Sequence, residues 1–292
     1  MDERVRTLLL GVAGCALLFG LILALAYAVP AAREVDAKAL QGFLGLQRPA
    51  VDAFTRHLVR LGDPPVVGLV GVLLAGIALL RGRPRVALAV VMLLGATSVS
   101  SQVLKAALAY PRFEGQTGLA HIAPAAFPSG HSTAVMSLAV AGVLVVPARM
   151  RVLAAVVGAG LALAVGVSVV ARGWHFSSDV AGGFLLATGW GLALAAGLRL
   201  AALRWPERTV RGRVAPGVRR ATEAVAGAGL VTMAALGALV VVAGAVLAVA
   251  RVDLVELVRA HTAALLMAAA LLALALALLT ALVAGLRQRG HR

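Results

Sequence analysis

The chain has 292 residues, of which 61% are hydrophobic and 13% charged, and its mean hydropathy is +0.98. That composition excludes an ordinary soluble domain, in which about a quarter of the residues are charged. The net charge of +15 does not signal nucleic acid, because the basic residues sit in short gaps between apolar runs and no basic segment with interleaved aromatics is present.

Taken in chain order, apolar runs near the roughly 20 residues needed to cross a bilayer cover 7–30, 65–80, 86–107, 132–147, 152–171, 178–198, 223–250 and 260–286. They lack the polar alternation of barrel strands. Backbone groups inside a bilayer must bond within their own segment, so each run is expected to be a helix. The expectation is an all-α polytopic membrane protein of about eight spans with both termini inside. Between the first two spans, residues 31–63 carry Leu40, Phe43, Leu44, Val51, Phe54 and Leu58 among charges, the pattern of an interfacial amphipathic helix.

Cys15 is the only cysteine, which excludes an intrachain disulfide and a cysteine-built metal site. Its "GVAGC" setting has the look of a lipoprotein cleavage box. The apolar run continues past it through "ALLFGLILALAYAV", so the reading is a retained first span.

Loop charges set the orientation. Arg4 and Arg6, then Arg81, Arg83 and Arg85, then Arg149 and Arg151, then seven arginines from Arg199 to Arg220, and finally Arg287, Arg289 and Arg292 fall on one side. By the positive-inside rule that side is cytoplasmic. A basic linker, 201–222, divides an expected core at 1–200 from a C-terminal helix pair within 223–292, read as packing or lid helices.

The opposite, extracytoplasmic face collects the chemistry in three pieces. In "KAALAYPRF", Lys105 ends a span and Arg112 follows beyond Pro111, which disfavours a continuing helix. Taken alone, both cations fit snorkelling to lipid headgroups equally well. In "AFPSGHSTAV", Ser129 stands where a helix N-cap would, and Gly130 lets an anion approach the free N–H groups of the first turn, with His131 beside them. In "SVVARGWHFSSDVAGG", His175 and Asp179 are four apart and share a face if helical, so the carboxylate can fix the imidazole tautomer. That piece alone also fits a plain N-cap. Together, cations, a helix N-terminus and two histidines are what a phosphoryl group in transfer requires, one histidine attacking phosphorus and the other protonating the leaving oxygen.

These three pieces resemble the type 2 phosphatidic acid phosphatase (PAP2) superfamily, over about residues 65–200. Its pattern is a lysine, six residues and Arg-Pro; then Pro-Ser-Gly-His; then Ser-Arg, five residues, His, three residues and Asp. The resemblance implies a six-helix, metal-independent lipid phosphatase without a cofactor, acting on a phosphatidate-type or polyprenyl-type phosphate or pyrophosphate. His175 would form a phosphohistidine, Asp179 would orient it and His131 would be the general acid. Lys105, Arg112, Ser129 and Gly130 would hold the phosphate oxygens.

Two positions depart from the pattern. Phe113 replaces the proline after Arg112, and Val169 replaces the arginine after Ser168. Arg172, one turn nearer His175, is expected to supply the missing charge. A phosphotransferase using the same histidine, or a degenerate phospholipid-binding or transport protein, are the alternative readings.

Overall fold

Five prolines punctuate the first hundred residues, and four of them, Pro30, Pro49, Pro64 and Pro84, open a helix. The ring fixes φ and removes an N–H that the first turn leaves unused anyway. A computed structural model describes residues 2–110, 122–205 and 254–286. Helix α1 spans Glu3–Ala28 and is capped by Asp2, whose carboxylate accepts from the Arg4 N–H at 2.8 Å. The proline-led helices follow as α2 (Pro30–Gly45), α3 (Pro49–Val59), α4 (Pro64–Leu80) and α5 (Pro84–Ala107). Next come α6 (Gly130–Val145), α7 (Arg151–Ala171) and α8 (Ser177–Arg204), and the last described helix is α9 (Leu254–Leu286).

The protein is an all-α, multi-pass membrane protein. Among the described residues five helices are long and apolar enough to cross a membrane, or six if Val51–Gly62 and Pro64–Leu80, bent by 52°, form one span. Seven of the eight expected runs are helical. The eighth, 223–250, lies outside the described residues, as do linker residues 206–222 and Arg287, Arg289 and Arg292.

The expected single interfacial helix at 31–63 is instead two helices and a 3-10 turn at Arg60–Gly62. Pro49 forces the break, because it cannot continue the hydrogen-bond ladder of α2. Nor is α2 purely interfacial: Leu40 and Phe43 are buried, and the helix packs on α1, α7, α8 and α9.

Helix α6 occupies the centre, against α4, α5, α7 and α8. It is apolar all round, as a helix with no outward face must be. Small residues let its neighbours approach: a methyl on Gly158 would meet Ala139 at 2.6 Å, and one on Gly191 would meet Val140 at 2.4 Å. Thr97 and Ser101 of the third run turn inward, with Ser137 donating to Thr97 across α5 and α6 at 3.0 Å. Helix α9 joins the same bundle, packing on α2, α7 and α8 with Leu279 and Leu282 buried. It is broken at His261, whose Nδ1 lies 2.8 Å from the Gly42 carbonyl.

One consequence positions everything that follows. Helices α5 to α8 all run between the same two ends, one at Lys105, Gly130, Ala171 and Ser177, the other at Arg85, Val145, Arg151 and Arg204.

Candidate active site

The first of these ends gathers both histidines of the second and third motif pieces. Ser129 caps α6, with Oγ facing the Ser132 N–H at 3.4 Å and accepting from the Ser132 hydroxyl at 3.0 Å. The turn before it is anchored by Phe127, fully buried and packed against Phe19 and Tyr27 of α1. The Ser129 N–H donates to the Asp179 carbonyl at 2.9 Å, which ties the start of α6 to the first turn of α8. That approach is possible because position 183 is glycine: a Cβ there would lie 2.9 to 3.0 Å from Thr133 and the Ser129 carbonyl.

On α8, the Asp179 carboxylate is completely buried. It accepts from the Phe176 N–H at 2.9 Å and lies 3.3 Å from Nδ1 of His175. With Nδ1–H donating to that carboxylate, Nε2 of His175 carries the lone pair, which is the arrangement of an oriented nucleophile or base. The start of α8 is fixed from outside by Asp36 of α2, which accepts from the Ser178 hydroxyl at 2.5 Å.

Lys105 reaches the same place from the end of α5. Its Nζ lies 3.4 Å from where a Gly130 Cβ would stand, and its charge interacts with Asp179. His131, in the first turn of α6, interacts electrostatically with both His175 and Lys105. The structure thus brings together Lys105, Ser129, Gly130, His131, His175 and Asp179. Arg112 lies outside the described residues.

Arg172 also reaches this end, but in company. Its Nη1 bonds Asp52 of α3 at 2.5 Å, and its guanidinium lies 4.9 Å over the Trp174 ring. On the other side, the Trp174 ring centroid is 5.7 Å from that of His131. Asp52 holds Arg56 as well. The Arg56 hydrogen bond, opposed by desolvation and reinforced by Arg172, keeps the Asp52 carboxyl below its ordinary range. Val169 is buried in apolar surroundings and brings no charge.

Two neighbours escaped the sequence reading. Asp63 lies 3.3 Å from Nε2 of His131, and Gly62 beside it sits so close that a Cβ would meet the His131 side chain at 2.9 Å. Asp52 is the second. The only local signal was a carboxylate in "LGDPP" at the mouth of a span. Both pairings join residues far apart in the chain, which no local pattern encodes.

Residues 84–203, which contain α5 to α8, match the model of the PAP2 superfamily. The match begins after Asp52 and Asp63, so both carboxylates reach the PAP2 region from a segment N-terminal to it. In fold the chain is similar to a transmembrane PAP2-type phosphatidylglycerolphosphate phosphatase from Bacillus subtilis, with a TM-score of 0.56 and 22% identity. That likeness covers 66% of this chain and 98% of the other. No curated protein matches.

Proposed function

We propose that the protein is an integral membrane phosphatase that releases phosphate from a lipid phosphate or pyrophosphate through a phosphohistidine, without a metal. The observation that carries this reading is the His175–Asp179 pair facing the capped N-terminus of α6, with Lys105 and His131 beside it. The match of residues 84–203 to the PAP2 superfamily model and the fold likeness to a membrane phosphatase support it.

In the proposed reaction the phosphate sits against the N–H groups of Gly130 and its neighbours, with Lys105 and Arg172 countering its charge. Nε2 of His175 attacks phosphorus, the bond from phosphorus to the lipid oxygen breaks, and the imidazolium of His131 gives its proton to that leaving oxygen. Water then attacks phosphorus, His131 takes the water proton, and the phosphorus–nitrogen bond breaks to release inorganic phosphate. Asp179 holds the Nδ1 proton throughout and stabilises the positive charge that grows on His175. The excess of arginine on the opposite side supports an extracytoplasmic site.

The test is phosphate release from phosphatidate and polyprenyl pyrophosphate in detergent with a chelator present. Activity in the wild type, with an acid-labile phosphoenzyme and loss of both in His175→Ala, is the expected result. Release that persists in His175→Ala would sink the assignment. Transfer of labelled phosphate to an added alcohol would mark phosphotransfer instead.

A further inference from the structure

The buried face of α2 carries one carboxylate. Asp36, Leu40 and Phe43 recur at the spacing of a single helical face, and all three are buried. An acid therefore stands where packing alone favours an apolar side chain, at a cost in free energy unless donors satisfy it. Ser178 of α8 meets it with two: its hydroxyl gives to one carboxylate oxygen at 2.5 Å, and its backbone N–H to the other at 3.3 Å. We propose that Asp36 is a positioning residue for phosphoryl transfer, holding the loop from His175 to Asp179 in its reactive geometry.

Ser178 lies inside that loop, between the two residues to which the chemistry is assigned. Phe176 is the N-cap of α8 and Asp179 is the third residue of the helix. The Asp179 carboxylate closes the loop on itself, accepting from the Phe176 N–H while facing Nδ1 of His175. That makes the loop stiff, but its place in the molecule depends on anchors from other helices. One is the Ser129 N–H of the α6 cap, which donates to the Asp179 carbonyl. The other is the Asp36 fork from α2. Two anchors on different helices remove the pivoting that one would leave, and a reacting group misplaced by about 1 Å can lose about a hundredfold in rate.

This anchor precedes the region that matches the PAP2 model, which begins at residue 84. It has company there. Gln47 donates to the Ala171 carbonyl at the end of α7, Asp52 bonds Arg172, and Asp63 lies against His131. The segment from Asp36 to Asp63 thus touches the end of α7 and the starts of α6 and α8, and Asp36 is its contact with the nucleophile's own loop.

The inference rests on His175 as the nucleophile of the proposed reaction, so its test reads the imidazole as well as the activity. The purified full chain in detergent, with isotope-labelled histidine, gives ring-nitrogen NMR signals for His175, assigned by their absence in His175→Ala. Asp36→Ala should lower kcat by about tenfold to a hundredfold with KM within about twofold. The His175 signals should move from the pattern of a single Nδ1–H tautomer towards a mixture of both. Asp36→Asn keeps an oxygen for the Ser178 N–H and turns its amide to the hydroxyl, which can accept as well as donate. It should bring kcat back to within about threefold of wild type, together with the His175 signals. Ser178→Ala removes one of the two bonds and leaves α2 untouched, so it carries the test if Asp36→Ala does not fold. Lower kcat at unchanged KM, with the same shift in the His175 signals, is again expected. A lowered Tm in Asp36→Ala or Ser178→Ala with kcat and the His175 signals unchanged would reduce Asp36 to a packing contact and overturn the proposal. A wild type without phosphatase activity, whose His175 signals still respond to Asp36→Ala, would sink the phosphatase reading and uphold the positioning role.

Discussion

Nε2 of His131 lies 3.3 Å from the Asp63 carboxylate, so His131 and His175 each carry an acidic partner. The two pairs are built differently. Asp179 lies in the first turn of α8, just after His175 in the chain, and is completely buried, whereas Asp63 comes from the turn between α3 and α4 and its side chain is 44% exposed. A buried carboxylate fixes a tautomer. Burial lowers the His131 pKa, and the Asp63 carboxylate opposes that by favouring the imidazolium, the form a general acid needs before the leaving group departs.

Asp63→Asn should therefore change the pH profile more than the fold. A general acid works only when protonated, so activity falls as pH rises through its pKa. Removing the carboxylate makes the imidazolium lose its proton more readily, and the basic limb of kcat/KM should move to lower pH. Because Asp63 is partly exposed and solvent screens its charge, the shift should be modest. An unmoved basic limb with a lowered Tm would show that Asp63 only braces the turn.

His131 itself is best tested by varying the leaving group. Protonation matters for an alkoxide and little for a nitrophenolate, which departs unaided. His131→Ala should cost about 10²–10⁴-fold on a lipid phosphate and far less on a nitrophenyl phosphate. His175→Ala should abolish both. Equal losses for His131→Ala on the two substrates would remove the general-acid assignment.

Sequence periodicity located the helices well because a bilayer leaves the backbone few choices. The runs at 86–107, 152–171 and 178–198 are found as Pro84–Ala107, Arg151–Ala171 and Ser177–Arg204. The site was legible in part: His175 and Asp179 do meet, but His175 precedes the N-cap of α8 and Asp179 reaches back to it from the first helical turn. Residues 31–63 were harder. Their mixed pattern resembles a surface helix, yet Leu40 and Phe43 face other helices and Asp36, Asp52 and Asp63 each reach a partner far along the chain. Such contacts are fixed by the packing of the bundle and leave no local trace.

The close approach of α6 and α8 depends on Gly183, and this can be measured directly. In Gly183→Ala the new methyl would press on Thr133 and the Ser129 carbonyl, which are backbone and short side-chain atoms that cannot swing away. The expected cost is about 1–3 kcal/mol, with activity falling as Ser129 and His131 shift. Gly197 of the same helix faces open space, so Gly197→Ala should leave Tm and activity unchanged. Equal Tm values for the two variants would show that the helices adjust freely.

Arg172 poses a sharper question, because its charge is already committed to Asp52. A phosphate can use that guanidinium only by sharing it with the carboxylate or displacing it. If Arg172 does replace the charge missing at Val169, Asp52 competes with substrate, and the two residues should have opposite effects. Arg172→Ala should lower kcat/KM by roughly tenfold or more, the worth of a charged hydrogen bond to phosphate. Asp52→Asn frees the guanidinium and should lower KM by a few-fold, with kcat retained. A mere staple between α3 and α7 makes a different forecast: both variants lower Tm together and neither changes KM. Arg172→Lys separates charge from shape, since lysine keeps the charge but loses the fork and the stacking on Trp174. Unchanged kcat/KM in Arg172→Ala would return the charge deficit at Val169 to Lys105 and the helix N-terminus alone.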